Sequence, residues 1–380
     1  MIAEEPPRAA STPPPVAAIR IGFVLLSPSR EPEPSTRIAA LNQFPLLRRE
    51  GFEPHIVFEP TRGTPAPLLP DLADRLVADG IRIVVFQKVQ GPSVEALARR
   101  LRARGIRTVF SICDHVIAPM VAATDATIAV TDYLKSLYPN ELQSRIHVVH
   151  DGIERPQACK AEWSAGRGSR RQPLRAVLVT SGSPTQLPAL GAPPDWLAVT
   201  IVGRYAQGGR PLRRLREVRW TLARQNLPER LRYLGFLLDP RIERVAWDPA
   251  DVYERLLGAD IGVIPIQPGN VPGADLPSAT WRVKSENRLT LKMAAGLPVV
   301  ATPIPSYERV IEHGVNGFLA WTPKDWQKCL AALRDPDLRR TMGERARASV
   351  LDRFGQDEQL RRLVGVLRGL LAQPERMAQR

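Results

Sequence analysis

The sequence contains few cysteines, and they lie far apart. Cys113, Cys159 and Cys329 are the only three in 380 residues, and no Cys-x-x-Cys pair occurs. An odd number of distant cysteines supports neither a disulfide framework nor a zinc site. We therefore expect a protein of a reducing compartment that has no metal site built on cysteine.

Long hydrophobic runs are also missing. The longest apolar stretch, from Val116 to Val130, is interrupted by Pro119 and Asp125, and it is shorter than the ~20 residues that a membrane-spanning helix needs. The first residues, MIAEEPP, lack the basic segment and apolar core of a secretory signal. We expect a cytoplasmic protein without a transmembrane helix, and we carry a peripheral contact with the inner membrane face as a further hypothesis.

Aromatic residues and lysines are scarce, whereas arginine is abundant. Aromatics make up 6% of the chain, only seven of its 53 basic residues are lysines, and the formal net charge is +14. That charge suits a nucleotide diphosphate, an anionic membrane face or nucleic acid, although a chain-wide bias towards arginine and proline explains it as well. No zinc-finger or RNA-stacking motif is present, so we expect no nucleic-acid partner.

Short apolar strands alternate with amphipathic helices along most of the chain. The segment IRIGFVLL reads as a buried strand, TRIAALNQFPLLRREG as a helix and FEPHIVF as a second strand, and the alternation continues through IRIVVFQ, IRTVFSI, ATIAV and IHVVHDG. It resumes in LRAVLVT, LAVTIVG, IGVIPI and LPVVAT. This pattern predicts an α/β fold of two doubly wound, Rossmann-like domains that face each other across a cleft.

Changes in composition along the chain predict the domain boundaries. We expect a disordered tail (1–17), an N-terminal domain (18–155), a linker rich in glycine, serine and arginine (156–172), a C-terminal domain (173–355) and a C-terminal helix that packs back on the N-terminal domain (356–380). The segment between Arg204 and Arg244 has no single period, so its elements are not predicted.

One run, VKSENRLTLKMAAGLPVVATPIPSYERVIEHGVNGFLA at residues 283–320, carries the candidate site. A helix is predicted to begin near Ser285 or Asn287, which places Lys284 and Arg288 beside its N-terminus. Free backbone N–H groups and the positive end of the helix dipole favour an anion there, and the two cationic side chains would complete a site for a diphosphate. The alternatives are that Ser285 or Asn287 merely caps the helix and that Lys284 is a surface lysine.

The same run resembles a known family. The segment MAAGLPVVATPIPSYERVIEHGVNGFLA, with VYERLLGADIGVIPI before it and LRDPDLRRTMGERARASVLDRFG after it, is similar to the donor-binding domain of GT-B glycosyltransferases of the large retaining group 1 family. The N-terminal segments STRIAALN, VVFQK, TVFSICD and IHVVHDGIE match the family's acceptor-side domain mainly in the order of elements. The resemblance implies a metal-independent enzyme without a cofactor, which moves a sugar from a nucleotide-diphosphate donor to a hydroxyl of a glycan or lipid-linked glycan.

The resemblance also implies site residues. KSENRL stands at the donor phosphates, SGSPTQ follows the first strand of the C-terminal domain, and Pro305-Ser306 replaces a twin-glycine loop. The donor-binding candidates are Gly182, Ser183, Lys284, Ser285, Asn287, Arg288 and Ser306.

On the N-terminal side, the family's cleft histidine would fall near Cys113, where this chain has Asp114 and His115. We predict Asp114 as a general base or cleft carboxylate, with an ordinary Asx turn as the alternative, and His115 as a further catalytic candidate. Ser35 and Arg37 follow the first strand and are expected to contact donor or acceptor, unless Ser35 only caps its helix.

The chain departs from the family at two informative positions. Val283 and Leu291 fall where the family has a pair of glutamates, the second of which usually holds the donor ribose, and neither side chain forms a hydrogen bond. This favours an alternative function, a non-catalytic nucleotide-sugar or glycan binding protein on the same fold. A third hypothesis is peripheral membrane attachment through arginines such as those of LARRLRARG, with a solvated basic helix face as its alternative.

Overall fold

The chain forms two parallel sheets flanked by helices. The computed structural model describes residues 18–205, 211–268 and 273–374. The predicted tail and the last residues of the predicted C-terminal helix lie outside these ranges. Within them, two separate six-stranded sheets occur, and every strand pair in both is parallel. The predicted α/β fold class is confirmed.

The first sheet uses the N-terminal part of the chain. Its strands are β1 Ile19–Val24, β2 Phe52–Phe58, β3 Ile83–Gln87, β4 Arg107–Ile112, β5 Ala126–Ala129 and β6 Ile146–Val148. They are arranged in the order β2-β1-β3-β4-β5-β6. Strands β3 and β5 are buried at every residue, as expected for central parallel strands that are covered by helices on both faces.

Short helices connect these strands. They are α1 Pro34–Ala39, α2 Phe44–Arg49, α3 Ala73–Ala78, α4 Pro92–Ala103, α5 Ala118–Ala123, α6 Asp132–Ser136 and α7 Asn140–Gln143. The single helix predicted in TRIAALNQFPLLRREG is wrong, because α1, a 3-10 turn at Leu41–Gln43 and α2 replace it. Pro45 explains the break, since proline has no N–H to donate to the preceding turn and starts a new helix instead.

The second sheet uses the C-terminal part. Its strands are β7 Leu174–Val179, β8 Leu197–Gly203, β9 Ile242–Ala246, β10 Ile261–Ile264, β11 Val299–Ala301 and β12 Phe318–Leu319, in the order β12-β11-β10-β7-β8-β9. The helices are α8 Pro211–Ala223, α9 Leu227–Leu238, α10 Val252–Leu257, α11 Asn287–Ala294, α12 Pro305–Glu308, α13 Pro323–Ala332, α14 Pro336–Phe354 and α15 Gln356–Ala372. The segment that could not be interpreted from its sequence contains α8, α9 and β9.

Both sheets contain a point at which the winding reverses. In the first sheet it lies between β1 and β3, and in the second it lies between β7 and β10. Doubly wound sheets bind ligands outside the carboxyl ends of the strands at such points. The loops that follow these four strands are therefore the expected walls of a site.

The segment predicted as a linker and the last helix both make defined contacts. Residues 156–172 contain no helix or strand, but the buried Lys160 donates from Nζ to the carbonyls of Leu257 and Ala259 at 3.1 and 2.7 Å. Helix α15 packs against the first sheet, where Leu367 shares a core with Ile21. The assignment of domain boundaries stays a prediction.

None of the described helices combines the length and the apolar character that crossing a bilayer requires.

Candidate functional site

A cavity of ≈ 450 Å³ lies between the two sheets and is lined from both sides. Its walls include the loops after β1, β3, β4 and β6 of the first sheet and those after β7 and β10 of the second. The predicted site residues that line it are Ser35, Arg37, Asp114, Lys284, Ser285, Asn287 and Arg288. The carboxyl ends of the strands in the two sheets face each other, and this arrangement brings together most of the predicted site residues.

The N-terminus of α11 opens on this cavity. Its N-cap residue is Glu286, and no side chain caps the helix, so the interpretation of Ser285 or Asn287 as a cap is wrong. Ser285 instead donates from Oγ to Asp151 Oδ2 at 3.0 Å. The Glu286 carboxylate turns away to His150, whose Nδ1 lies 2.5 Å from Glu286 Oε1. Both contacts join the second sheet's helix to the end of β6.

Asp151 belongs to this junction and also faces the cavity. Burial raises its pKa to about 6, and the nearby Glu286 carboxylate adds to the shift. Nothing in the sequence pattern marked Asp151 as a residue of the cavity wall.

Lys284 and Arg288 stand on either side of the helix N-terminus. Arg288 donates from Nη2 to Ser181 Oγ at 2.9 Å, and Lys284 Nζ lies 3.9 Å from Asp114 Oδ2 on the opposite wall. Burial lowers the pKa of Lys284, an effect that the Asp114 carboxylate opposes. Ser306 does not line the cavity, but its Oγ donates to the Lys284 carbonyl at 2.8 Å and so holds the backbone at Lys284 in place.

Lys88 is a cavity residue that the sequence analysis missed. Its Nζ lies 2.8 Å from Asp114 Oδ2, so Asp114 stands between two lysines. Burial acts to raise the pKa of Asp114, but the Lys88 ammonium, together with His115 and Lys284, outweighs it and holds that pKa below its ordinary value. Burial likewise acts to lower the pKa of Lys88, and the acidic groups beside it, Cys113 and Asp114, raise it instead. Its place directly after a strand at the reversal point of the sheet was the signal that could have identified it.

His115 takes a different position. Its side chain is exposed, with Nε2 3.7 Å from Asp114 Oδ1, and it lines an adjoining cavity of ≈ 260 Å³ rather than the main one. Glu33 and Lys88 form part of both walls. The residues that line the adjoining cavity all belong to the first sheet and its loops.

Arg37 connects the two halves of the site. It donates from Nη1 to Glu154 Oε1 at 2.6 Å, and its guanidinium lies 5.2 Å from the centre of the Trp247 ring. Ser35 lies in the first turn of α1, whose N-cap is Glu33. The alternative that Ser35 only caps this helix is therefore wrong.

The segment after β7 places its residues differently from the expectation. Thr180 and Ser181 line the cavity, whereas Gly182 and Ser183 lie just beyond its wall and are exposed. Ser183 donates from Oγ to the Arg204 carbonyl at 2.5 Å, which ties this loop to the end of β8.

Several polar atoms on the cavity wall are buried without a partner. Arg37 Nε, Asp114 Oδ1 and Tyr307 Oη have no hydrogen-bond partner among the described residues. Native proteins pair nearly all buried polar groups, so a group of unpaired atoms around one cavity indicates a place for a polar ligand. Tyr307 is fully buried, and burial raises its pKa to about 12; nothing in the sequence pattern marked it.

The two positions that replace the family's glutamates have different surroundings. Val283 is 1% exposed and packs among core residues of the first sheet. Leu291 is half-buried and lines the main cavity. Only Leu291 is therefore placed to contact a ligand in this cavity.

Over residues 18–205, 211–268 and 273–374, no three histidine, cysteine, aspartate or glutamate side chains are grouped so that they could hold a metal ion.

Comparisons of the sequence with known proteins place the likeness in the C-terminal half. The family model described as "Glycosyl transferases group 1" matches residues 186–335. N-acetyl-alpha-D-glucosaminyl L-malate synthase of Bacillus anthracis is 36% identical over 69 residues, a stretch that covers 17% of this chain and 18% of that protein. The match therefore spans less than a fifth of this curated relative.

Comparisons of the structure cover nearly the whole chain. HepE of Anabaena, solved in complex with UDP-glucose, is similar with a TM-score of 0.60 at 16% identity, over 92% of this chain and 100% of that one. A glycosyltransferase from Rickettsia africae gives a TM-score of 0.66 at 12% identity, over 94% and 100%. Sucrose-phosphate synthase from Thermosynechococcus elongatus gives 0.63 at 11% identity, over 93% and 99%.

At these identities the structural likeness concerns the fold, whereas the family match rests on the sequence of residues 186–335. Both agree with the resemblance carried by the run at residues 283–320 and its neighbours. This chain has the GT-B fold of two facing Rossmann-like sheets, and its residues 186–335 match the model of the glycosyl transferases group 1 family.

Proposed function

We propose that this chain transfers a sugar from a nucleotide-diphosphate donor to a hydroxyl of a glycan or lipid-linked glycan, with retention and without a metal ion. The observation that carries the proposal is the convergence of Lys284, Arg288 and the uncapped N-terminus of α11 on one cavity between the two sheets. Three free cysteines support a cytoplasmic location as part of the same proposal.

The donor diphosphate would lie against α11. Negative charge grows on the leaving diphosphate as the bond to the sugar breaks, and fixed positive groups lower the barrier when they already point at that charge. The ammonium of Lys284, the guanidinium of Arg288 and the positive end of the helix dipole supply such groups. Because Arg288 is bonded to Ser181 and the Lys284 backbone to Ser306, both are held in place before a ligand arrives.

The acceptor would enter from the adjoining cavity, on the first sheet's side. Asp114 lines the main cavity and is paired with Lys88, which lines both cavities. Its Oδ1 has no hydrogen-bond partner in the described part of the chain. Because its pKa is lowered, this carboxylate is ionised at neutral pH and is a weak proton acceptor. We assign it the task of accepting a hydrogen bond from the acceptor hydroxyl and orienting it, while Lys88 holds the carboxylate in position.

The comparisons support a nucleotide sugar and favour uridine as the first base to test. HepE was solved with UDP-glucose, and the family match covers the part of the chain that contains Trp247 and much of the α11 wall. The donor's sugar, its base and the acceptor are left for the experiment to identify.

The alternative is a non-catalytic nucleotide-sugar or glycan binding protein on the same fold. It is favoured by Leu291, which presents an apolar side chain to the cavity at the position where the family's second glutamate would hold the donor ribose. A binding protein needs the cavity and its charges, but it needs no residues that orient an acceptor hydroxyl for transfer.

The decisive experiment combines ligand binding with product detection. Thermal unfolding of the purified chain is measured with UDP-, GDP-, ADP- and dTDP-sugars, with and without magnesium, because a ligand at 100 times its Kd stabilises a protein by roughly 2.7 kcal/mol. Lys284→Ala is the test variant, and Lys324→Ala, an exposed lysine on α13, is the matched control.

We expect one nucleotide to raise the melting temperature whether or not magnesium is present, with the shift lost in Lys284→Ala and kept in Lys324→Ala. With that nucleotide sugar and a panel of glycan acceptors, mass spectrometry should detect an elongated product and the free nucleoside diphosphate. Binding without product on the whole panel favours the alternative. A shift that survives Lys284→Ala would refute the assigned donor site.

A further inference from the structure

Helix α9 has two apolar faces, and only one of them is covered. Tyr233 and Phe236 are buried in the core of the second sheet. On the other face lies an outer stripe, composed of Leu227, Leu231, Leu234 and Leu238, with exposed fractions of 67%, 62%, 37% and 78%. Its spacing of four, three and four residues places all four leucines on one side of the helix.

The neighbouring helix α8 extends this surface. It also packs on the second sheet's core, through Val218 and Leu222, so its outward face lies on the same side as the outer stripe. That face presents Trp220, which is 61% exposed, with Arg224 stacked 3.9 Å from its ring. More than half of the large hydrophobic side chains that are exposed in the described residues lie on these two helices.

The hairpin of α8 and α9 is held together by its own contacts. Asn226 and Glu229 form a reciprocal capping box at the start of α9, and Arg230 donates from Nε to the Leu222 and Gln225 carbonyls at 2.8 and 2.9 Å. The exposure of the outer stripe is thus a property of a defined structure rather than of a loose segment. Glu229, an acid in this hairpin, is engaged at the helix start.

Arginines of the same two helices lie exposed beside the apolar surface, and among the described side chains they have no acidic partner. The arginine rim consists of Arg216, Arg219 and Arg232, which are exposed and form no ion pair with the rest of the described chain. Helix α4, where the sequence suggested a membrane contact, differs. Each arginine there that faces solvent is matched by a carboxylate, as Arg99 is by Glu95 and Arg100 by Asp71.

We propose that the outer stripe, Trp220 and the arginine rim dock this chain on the surface of an anionic membrane. A bilayer interface offers both parts of the complement, an apolar layer for leucine and tryptophan and negative head groups for arginine. A second copy of the chain fits poorly, because its own arginine rim would face the first. The inference is independent of the proposed transfer reaction, since it concerns a surface away from the cavity.

The experiment is co-sedimentation of the full chain with vesicles. One set contains equal parts of phosphatidylglycerol and phosphatidylcholine, and the other contains phosphatidylcholine alone. We expect binding to the anionic vesicles that weakens in high salt, and loss of about tenfold or more in partitioning for the double variant Leu231→Glu and Leu234→Glu. Leu68→Glu, a 90% exposed leucine of the first sheet's loops, is the control and should bind as the wild type does.

The contribution of charge is tested separately. Arg216→Ala with Arg219→Ala should lower partitioning by about fivefold for each charge removed, whereas Arg99→Ala with Arg340→Ala should leave it nearly unchanged. Recovery of the wild-type chain in the supernatant with both vesicle types would overturn the proposal. So would a dimer in sedimentation velocity that the stripe variant dissociates, because the surface would then bind a second copy.

Failure here is distinguishable from failure of the proposed function. The stripe variant should keep the nucleotide-dependent rise in melting temperature, and Lys284→Ala should keep vesicle binding. Circular dichroism and thermal unfolding of the apo variants confirm folding, which exposed substitutions are expected to preserve.

Discussion

At the scale of single residues, Lys88 shows how the site maintains a costly local arrangement. Its φ of +56° lies in the left-handed region, which costs a non-glycine residue about 1–2 kcal/mol. The same turn delivers its ammonium to Asp114 at 2.8 Å. Strained residues of this kind concentrate at functional sites, where the surrounding contacts hold them.

Two substitutions at Lys88 should therefore separate the cost of its left-handed backbone conformation from the contribution of its charge to stability. Lys88→Met retains the strain and leaves Asp114 with the more distant Lys284 and the exposed His115, so we expect the free energy of unfolding at pH 7 to fall by about 1–3 kcal/mol. Lys88→Gly removes the same ammonium but relieves the backbone strain, so its free energy of unfolding should fall by less than that of Lys88→Met. Urea unfolding measures both, with the exposed Lys328→Met as the control.

The pH dependence of this loss follows from the direction of the pKa shifts. Because the pKa of Asp114 is lowered in the folded state, the pair stabilises the fold above the carboxyl's unfolded pKa of about 3.9 and loses this effect as the pH falls through the folded value. Because the pKa of Lys88 is raised in the folded state, the pair also stabilises the fold fully below the unfolded lysine pKa of about 10.4. This stabilisation is lost as the pH rises through the folded value. A difference between wild type and Lys88→Met that stays constant from pH 7 to pH 3 would contradict the assignment of an ionised pair.

At the scale of elements, the crossing of α14 over the end of α11 depends on one glycine. A Cβ on Gly343 would come within 3.0 Å of both the Gly296 carbonyl and the Trp163 ring. Gly369 in α15 is also helical, but no atom lies within 4 Å of where its Cβ would be. The two glycines thus offer a matched pair in which only the packing differs.

We predict opposite signs for the same substitution at these positions. Gly369→Ala should raise stability by about 0.5–1 kcal/mol, because alanine is the better helix former. Gly343→Ala gains the same propensity but forces two backbones apart, and it should lower stability by about 1–3 kcal/mol. Chemical denaturation of the two variants tests this, and a stabilised Gly343→Ala would show that the crossing has room to adjust.

The elements that could be predicted from sequence are those with a single apolar pattern. Buried strands such as β3 and β10 were predicted because their continuous apolar runs leave no other reading. Helices α8 and α9 were not, because α9 is apolar on two faces and α8 carries arginines around most of its circumference, so neither gives one period. The exposed leucines and arginines that obscure the helical period of α8 and α9 are the residues that we propose to bind a membrane.

The candidate site was predicted in part, at residues of one continuous run and at Ser35, Arg37 and Asp114 in the segments that follow two strands of the first sheet. Lys284 and Arg288 come from one run and line the cavity as expected. Lys88 and Tyr307 were missed because their place on the wall depends on which loop ends face each other across the cleft. That information comes from the docking of the two sheets, not from spacing within either.

At the scale of the whole molecule, the last helix belongs to the first sheet although it follows the second in the chain. Leu367 of α15 is fully buried against β1, and Leu333 at the end of α13 is fully buried in the core of the second sheet. Each leucine thus reports on one sheet. A change in either should reveal how independently the two sheets open.

Leu367→Ala and Leu333→Ala should each lower stability by about 2–5 kcal/mol, since both leave a cavity in a packed core. Hydrogen exchange should localise the effects, with protection falling most in β1 for Leu367→Ala and most in β8 for Leu333→Ala. An equal fall in both strands for either variant would mean that the two sheets open as one cooperative unit.

The chain passes between the two halves twice, and the two passages touch. The Ile153 N–H donates to the Phe354 carbonyl at 3.0 Å, and Ile153 pairs with Gly355 in a parallel bridge. A Cβ on Gly152 would lie 3.2 Å from the Gln356 backbone. Two adjacent connections form a hinge between the two sheets. They allow the sheets to rotate about the line through both connections and oppose rotation about other axes. We therefore expect any relative motion of the two halves to bend both connections at this junction, as hinge segments do in domain closure.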